Sequence, residues 1–261
     1  MKIIYSKINH RLDSDNPTAP WIILIHGLFG NLDNLAMLRR ELQSTFQVLS
    51  IDLPDHGKSS FSEKFSFSGY AEAIKELIIE LGIENAALIG HSLGGKVAMQ
   101  LALTYPQRVT NLVILDIAPV AYNPRHSNVF AALEAVDLNV ICERKDAEKA
   151  MSVYIEEGGI RQFLLKSLYQ QDGKWKWRFN LSLLHRDYGL LSQAIHSHIP
   201  YLDPVLFLKG ELSDYLTSEY RNQVLSLFPN SRMKTISNSG HWLHAEQPKI
   251  CARHIRTFLL N

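Results

Sequence analysis

The sequence predicts an α/β fold in which a mostly parallel sheet is covered by helices on both faces and carries a helical insertion. Three observations support this. Short apolar runs rich in β-branched residues alternate with segments whose apolar residues recur at helical spacing, the pattern of a parallel sheet buried on both sides. One run, 86–89, enters a helix through Gly90-His91-Ser92-Leu93-Gly94, a G-x-S-x-G turn. The alternation stops at Pro119 and resumes only at Val205, a gap too long for a loop.

Composition narrows the class. A chain of 261 residues with 46% hydrophobic content can bury a large core. Lys plus Arg total 27 against 26 for Asp plus Glu, so no overall basic field draws nucleic acid or an anionic membrane. The two cysteines, Cys142 and Cys251, are far apart and lack metal-ligand spacing, which fits a reducing compartment. The N-terminal MKIIYSKINHR shows no signal-peptide pattern, and no stretch reaches about 18 uninterrupted apolar residues. A cytoplasmic protein without a membrane span, working as a monomer or homodimer on a small molecule, is expected.

In chain order, Lys2 to Ile8 reads as one or two edge strands closed by a polar turn from Asp13 to Pro20. Trp21 to Ile25 is a buried strand ending at His26-Gly27-Leu28-Phe29-Gly30. Leu32, Leu35, Leu38 and Leu42 have helical spacing. Phe46 to Ile51 is a second buried strand, followed by Asp52 to Ser59. Ser68 is placed to cap a helix with the apolar face Tyr70, Ile74, Leu77, Ile78 and Leu81, stopped by Gly82. After the Ser92 turn a helix runs to Tyr105-Pro106 with Lys96 on its outer side, and Val109 to Ile117 is another strand. Residues 121–201 read as several helices. Val205 to Leu208 restores the sheet, and a helix over 218–227, a strand over 233–236 and a final helix over 247–260 complete it. The division is a core of 1–118 and 202–261 with a cap over 119–201.

Open parallel sheets form their sites beyond the carboxyl ends of the strands. His26, Asp52, Ser92, Asp116 and His241 all follow strands there. A serine hydroxyl needs an imidazole to take its proton, and the imidazole needs a carboxylate to fix its tautomer; His241, after the last strand, is the base this placement favours over His244. His26 is expected to brace the loop after its strand, and Asp52, Asp55 and His56 to brace theirs. There is no H-E-x-x-H, His196 and His198 lack a third ligand, and the glycines do not form G-x-G-x-x-G, so neither a metal nor a dinucleotide site is expected.

His26 to Gly30, Gly90 to Gly95 and the run Gly240-His241-Trp242-Leu243-His244-Ala245-Glu246-Gln247-Pro248 resemble the α/β-hydrolase superfamily. Asp52 to Ser59, Leu115 to Val120 and Trp177-Arg178-Phe179-Asn180 make the chain similar to its YbfF-like esterase branch. The resemblance implies the α/β-hydrolase fold, with about eight strands and a helical cap. It also implies a cofactor-free serine esterase using Ser92 and His241, with the N–H groups of Leu28 and Leu93 as oxyanion hole.

In most α/β-hydrolases the acid stands three residues after a glycine that follows the penultimate strand; here Gly210 is followed at that place by Ser213, with Asp214 one step later. Asp116 is therefore preferred, Asp214 is the alternative, and Ser213 is an additional hydrogen-bond partner of His241. The expected reaction is hydrolysis of an acyl ester or thioester through an acyl-Ser92 intermediate, with basic cap residues available to a phosphate-bearing carrier such as coenzyme A. The alternatives are a lyase or carbon-carbon hydrolase on the same triad, or a slow-turnover receptor. Phe29, His91, Trp177, Phe179 and Trp242 are the expected substrate-binding residues, with Tyr122, Phe130, Tyr154 and Trp175 as further candidates for an acyl pocket.

Overall fold

The computed structural model describes residues 1–8 and 19–261. Strand β1 (Ile4–Ile8) is followed by β2 (Trp21–Ile25), helix α1 (Ala36–Leu42), β3 (Gln47–Asp52), α2 (Phe67–Glu80), β4 (Ala86–His91), α3 (Leu93–Thr104) and β5 (Val109–Leu115). The chain then leaves the sheet for α4 (Ser127–Glu134), α5 (Arg144–Met151), α6 (Gly158–Leu165), β6 (Leu168–Gln171), β7 (Lys174–Trp177), α7 (Leu181–Arg186) and α8 (Tyr188–Leu191). It returns with β8 (Val205–Gly210), α9 (Arg221–Leu227), β9 (Ser231–Ile236), α10 (Leu243–Glu246) and α11 (Pro248–Leu259).

Among the described residues the main sheet has seven strands, ordered β1-β3-β2-β4-β5-β8-β9, rather than about eight. Only β1 is antiparallel, and residues 2–8 supply this one edge strand. Residues 13–18 of the expected polar turn lie outside the described residues. Side chains of β2 and β4 alternate between two cores: Ile23, Ile25 and Leu88 pack on the α2–α3 face, and Ile22, Leu24 and Ile89 on the face covered by α1 and α11. Burial on both sides is why these strands read as unbroken apolar runs. Among the described residues no helix is long and apolar enough to cross a membrane.

Three local expectations change. Helix α1 starts at Ala36, not Leu32, because Asn31 and Asn34 bond each other's backbone in a turn and the Leu32 N–H goes to Asp52, competing with helix. The cap of α2 is Ser66, whose Oγ accepts from the Gly69 N–H at 3.0 Å, rather than Ser68. Residues 168–177 form a hairpin where helix was expected. Its turn, Asp172-Gly173, has φ of 52° and 74°, the two positive values that an Asp-Gly type I′ turn needs.

The Ser66 cap can be tested by substitution. Ser66→Ala should cost about 1 kcal/mol in urea unfolding, and Ser68→Ala less than about 0.5 kcal/mol; the reverse order would restore the cap to Ser68.

Candidate active site

Ser92 occupies the turn between β4 and α3 with φ 52° and ψ −118°, a conformation costly for a residue with a side chain. The surroundings force it. A Cβ on Gly94 would lie 2.4 Å from the carbonyl oxygens of Ile25 and His26, and one on Gly90 would lie 2.4 Å from that of Gly94. Helix α3 thus starts hard against β2 and β4, which holds Ser92 at its positive end. Leu93 opens the helix, so its N–H has no partner four residues back. Leu28 shares two cavities with Ser92 and sits in a turn closed by a Gly30 N–H to Gly27 C=O bond of 3.1 Å.

Asp116 follows β5 with φ 53° and is fully buried. Its Oδ1 accepts from the Gly210 N–H at 2.9 Å, and its Oδ2 accepts from the Ser213 hydroxyl and from His241 Nδ1 at 2.8 Å. Ser213, expected beside His241, donates to Asp116 instead. Asp214 points away: its carboxylate is 75% exposed and pairs with Arg125 at 2.6 Å. A carboxylate only accepts, so His241 Nδ1 carries the hydrogen of this bond. His241 and Ser92 line the same cavity. Tyr215, a residue no motif singles out, stacks on the His241 ring at 4.0 Å.

His26, His91 and His244 line the same cavity. His26 donates from Nδ1 to the Gly27 carbonyl at 2.8 Å and accepts at Nε2 from the Leu53 N–H at 3.0 Å, and burial lowers its pKa to about 4. His91 donates from Nε2 to the His241 carbonyl at 2.8 Å and is kept neutral by burial. His244 packs on His91 at 4.3 Å, and burial lowers its pKa to about 3. Asp52 accepts from the N–H groups of Leu32 and Lys58, and Asp55 from Ser62, Tyr70 and Asn180. Among the described residues no group of three or more His, Cys, Asp or Glu side chains could hold a metal ion.

The cavity shared by Ser92 and His241, about 250 Å³, is lined by Phe29, His91 and Trp242, and also by Val129 of α4 and Ile160, Phe163 and Leu164 of α6. The spacing 160, 163, 164 was the available signal, an apolar stripe on a short helix. Trp177 and Phe179 stack on each other at 5.4 Å, and Phe179 lies behind Phe29 at 5.1 Å. Both are buried and neither lines the cavity. Phe130 is likewise core, and Tyr154 is exposed. Tyr122 lines a second, smaller cavity of about 50 Å³ that also reaches Ser92.

Lys96 departs most from expectation. It is 3% exposed rather than facing outward, and its Nζ donates to the carbonyls of Ser192 at 3.2 Å and Gln193 at 2.6 Å. Burial lowers its pKa to about 7.

Comparison with known proteins adds to this geometry. The sequence model of a family described as alpha/beta hydrolase fold matches residues 20–248. Esterase YbfF of Escherichia coli (strain K12) is 38% identical over 91% of this chain and 92% of its own length. The sn-1-specific diacylglycerol lipase ABHD11 of Mus musculus is 35% identical over 97% and 85%. A solved structure described as a marine microorganism esterase superposes with a TM-score of 0.93 at 34% identity, covering 98% of this chain and 99% of that one.

Burial penalises the imidazolium form, so His26 and His126, lowered to about 4, and His56 and His244, lowered to about 3, should stay neutral at physiological pH. In ¹⁵N-edited NMR none of the four should titrate between about pH 5.5 and 8, and His26 should be the Nδ1–H tautomer. A midpoint near about 6.5 for His26 would contradict the bonding described.

Proposed function

The chain belongs to the α/β-hydrolase family, and from that premise we propose that it hydrolyses carboxylic esters through an acyl intermediate on Ser92. The observation that carries the reading is the 2.8 Å bond from His241 Nδ1 to the buried Asp116, on a ring that shares a cavity with Ser92. Asp116 holds the tautomer in which Nε2 can accept the serine proton. Ser92 Oγ attacks the ester carbonyl, and the N–H groups of Leu93 and Leu28 take up the charge on its oxygen. His241 returns the proton to the leaving alcohol, then draws one from water to release the acid and regenerate the serine. An acyl thioester would follow the same steps with a thiol leaving. The named activities of the YbfF and ABHD11 relatives support ester over other bonds.

Residues 119–201 act in this reading as a cap over the core of 1–118 and 202–261, since α4 and α6 supply the apolar cavity wall. A cavity of about 250 Å³ is below the usual range of drug-sized sites, about 300–1,000 Å³, and suits an acyl group of modest length beside Phe29, Phe163 and Trp242. Cys142 and Cys251 are free thiols, which fits a reducing, cytoplasmic setting.

The test is multiple-turnover hydrolysis of aryl esters of increasing acyl length. Wild-type protein should turn over with an optimum at short to medium chains, and Ser92→Ala should be inactive; turnover that survives in Ser92→Ala would remove the serine from the mechanism. Asp116→Asn should stay folded and lose up to about four orders of magnitude in kcat, while Asp214→Asn stays within about threefold of wild type. Wild-type kcat in Asp116→Asn would assign the acid elsewhere.

A further inference from the structure

Lys96 lies in the first turn of α3, its N–H bonded to the Ser92 carbonyl at 3.1 Å, and Lys96 and Ser92 line the same smaller cavity. Its Nζ reaches the carbonyls of Ser192 and Gln193 just past the end of α8, where a helix leaves carbonyls without internal partners. The Ser192 carbonyl also accepts the Tyr122 N–H at 2.9 Å. Lys96 lies over the Tyr122 ring at 4.9 Å and the Phe67 ring at 5.7 Å. The amine therefore holds Tyr122 by its ring and through a shared carbonyl. The Tyr122 hydroxyl in turn accepts from the Ala118 N–H at 2.9 Å and donates to the Tyr215 carbonyl. Ala118 is two residues beyond Asp116, and the Tyr215 ring lies on His241 at 4.0 Å.

We propose that Lys96 is a positioning residue: with Tyr122 it pins the loop after Asp116 to the loop of Tyr215, and so sets the orientation of His241 towards Ser92. The hydrogen bonds of the Lys96 amine and the Tyr122 hydroxyl go to the backbone of Ser192, Gln193, Ala118 and Tyr215. The simple alternative is a cap fastener, in which Lys96 only attaches residues 192–193 to α3. That alternative does not require Lys96 and Tyr122 to work as one unit on the chemical step. The inference rests on the hydrolase reading above and adds the residues that orient its base.

The test is a double-mutant cycle on kcat and KM with a short-chain aryl ester, using Lys96→Met, Tyr122→Phe and the double variant. Lys96→Met keeps the length of the side chain and removes a buried amine, so folding should survive. Each single variant should lose about ten- to a hundredfold in kcat with KM within about threefold. The double variant should lose no more than the worse single one, because both act through one network. The His241 Nδ1–H proton resonance should shift or broaden in each variant. Losses that multiply, or wild-type kcat in folded Lys96→Met, would overturn the inference. Should Lys96→Met fail to fold, Tyr122→Phe with wild-type kcat and an unchanged His241 resonance would overturn it as well. Turnover surviving in Ser92→Ala would instead defeat the hydrolase reading itself, so the two failures are distinguishable.

Discussion

Helix α3 leaves strand β4 with no room for a side chain at Gly90 or Gly94, and that crowding is what the rest of the site depends on. It turns the chain so sharply that Ser92 must take a positive φ, and it puts the start of a helix directly behind the hydroxyl. The cost of such a conformation is of order 1–3 kcal/mol. It is offset by the core beneath, where β2, β4 and β5 are buried on both faces. Phe29, Asp55, Asp116 and Asn238 also have positive φ, so among the described residues five such non-glycine positions follow strands at one edge of the sheet. Strain concentrated in this way is common where side chains must be aimed rather than merely packed.

The strand order converts this turn into a site. Because β4, β5, β8 and β9 are successive parallel neighbours, their carboxyl ends deliver Ser92, Asp116, the Gly210–Ser213 turn and the His241 loop to one place. The carboxylate of Asp116 is the hub: it joins the backbone after β8, the Ser213 hydroxyl and the His241 ring. His91 fixes the backbone of His241 from below, and Tyr215 covers its ring. The His241 ring and backbone are therefore held by three residues from other elements, Asp116 after β5, His91 at the end of β4 and Tyr215 after β8, and all three strands are largely buried.

The architecture was legible because burial on both faces leaves an unmistakable apolar run in β2, β4, β5 and β8, and because the Ser92 turn requires glycine at fixed offsets. The choice between Asp116 and Asp214 was less legible. Spacing along the chain does not say that residue 214 turns outward to Arg125 while residue 213 reaches Asp116. A lysine on a helix ordinarily faces water, and only the arrival of residues 192–193 supplies the carbonyls that make burial of Lys96 tolerable. Trp177 and Phe179 have the composition of a binding wall but pack behind Phe29, a distinction set by tertiary packing. The Asp172-Gly173 hairpin, by contrast, is marked in the sequence by its turn dipeptide, which helical spacing on either side does not reveal.

The central claim is that Ser92 is a nucleophile made reactive by His241. The most direct measurement is rapid-quench mass spectrometry during turnover of an activated ester, followed by peptide mapping of the adduct. The account predicts an acyl group on the Ser92 peptide that forms faster than the steady-state rate and does not form in His241→Ala. Steady turnover with no acyl adduct at Ser92, or an adduct on another residue, would contradict it.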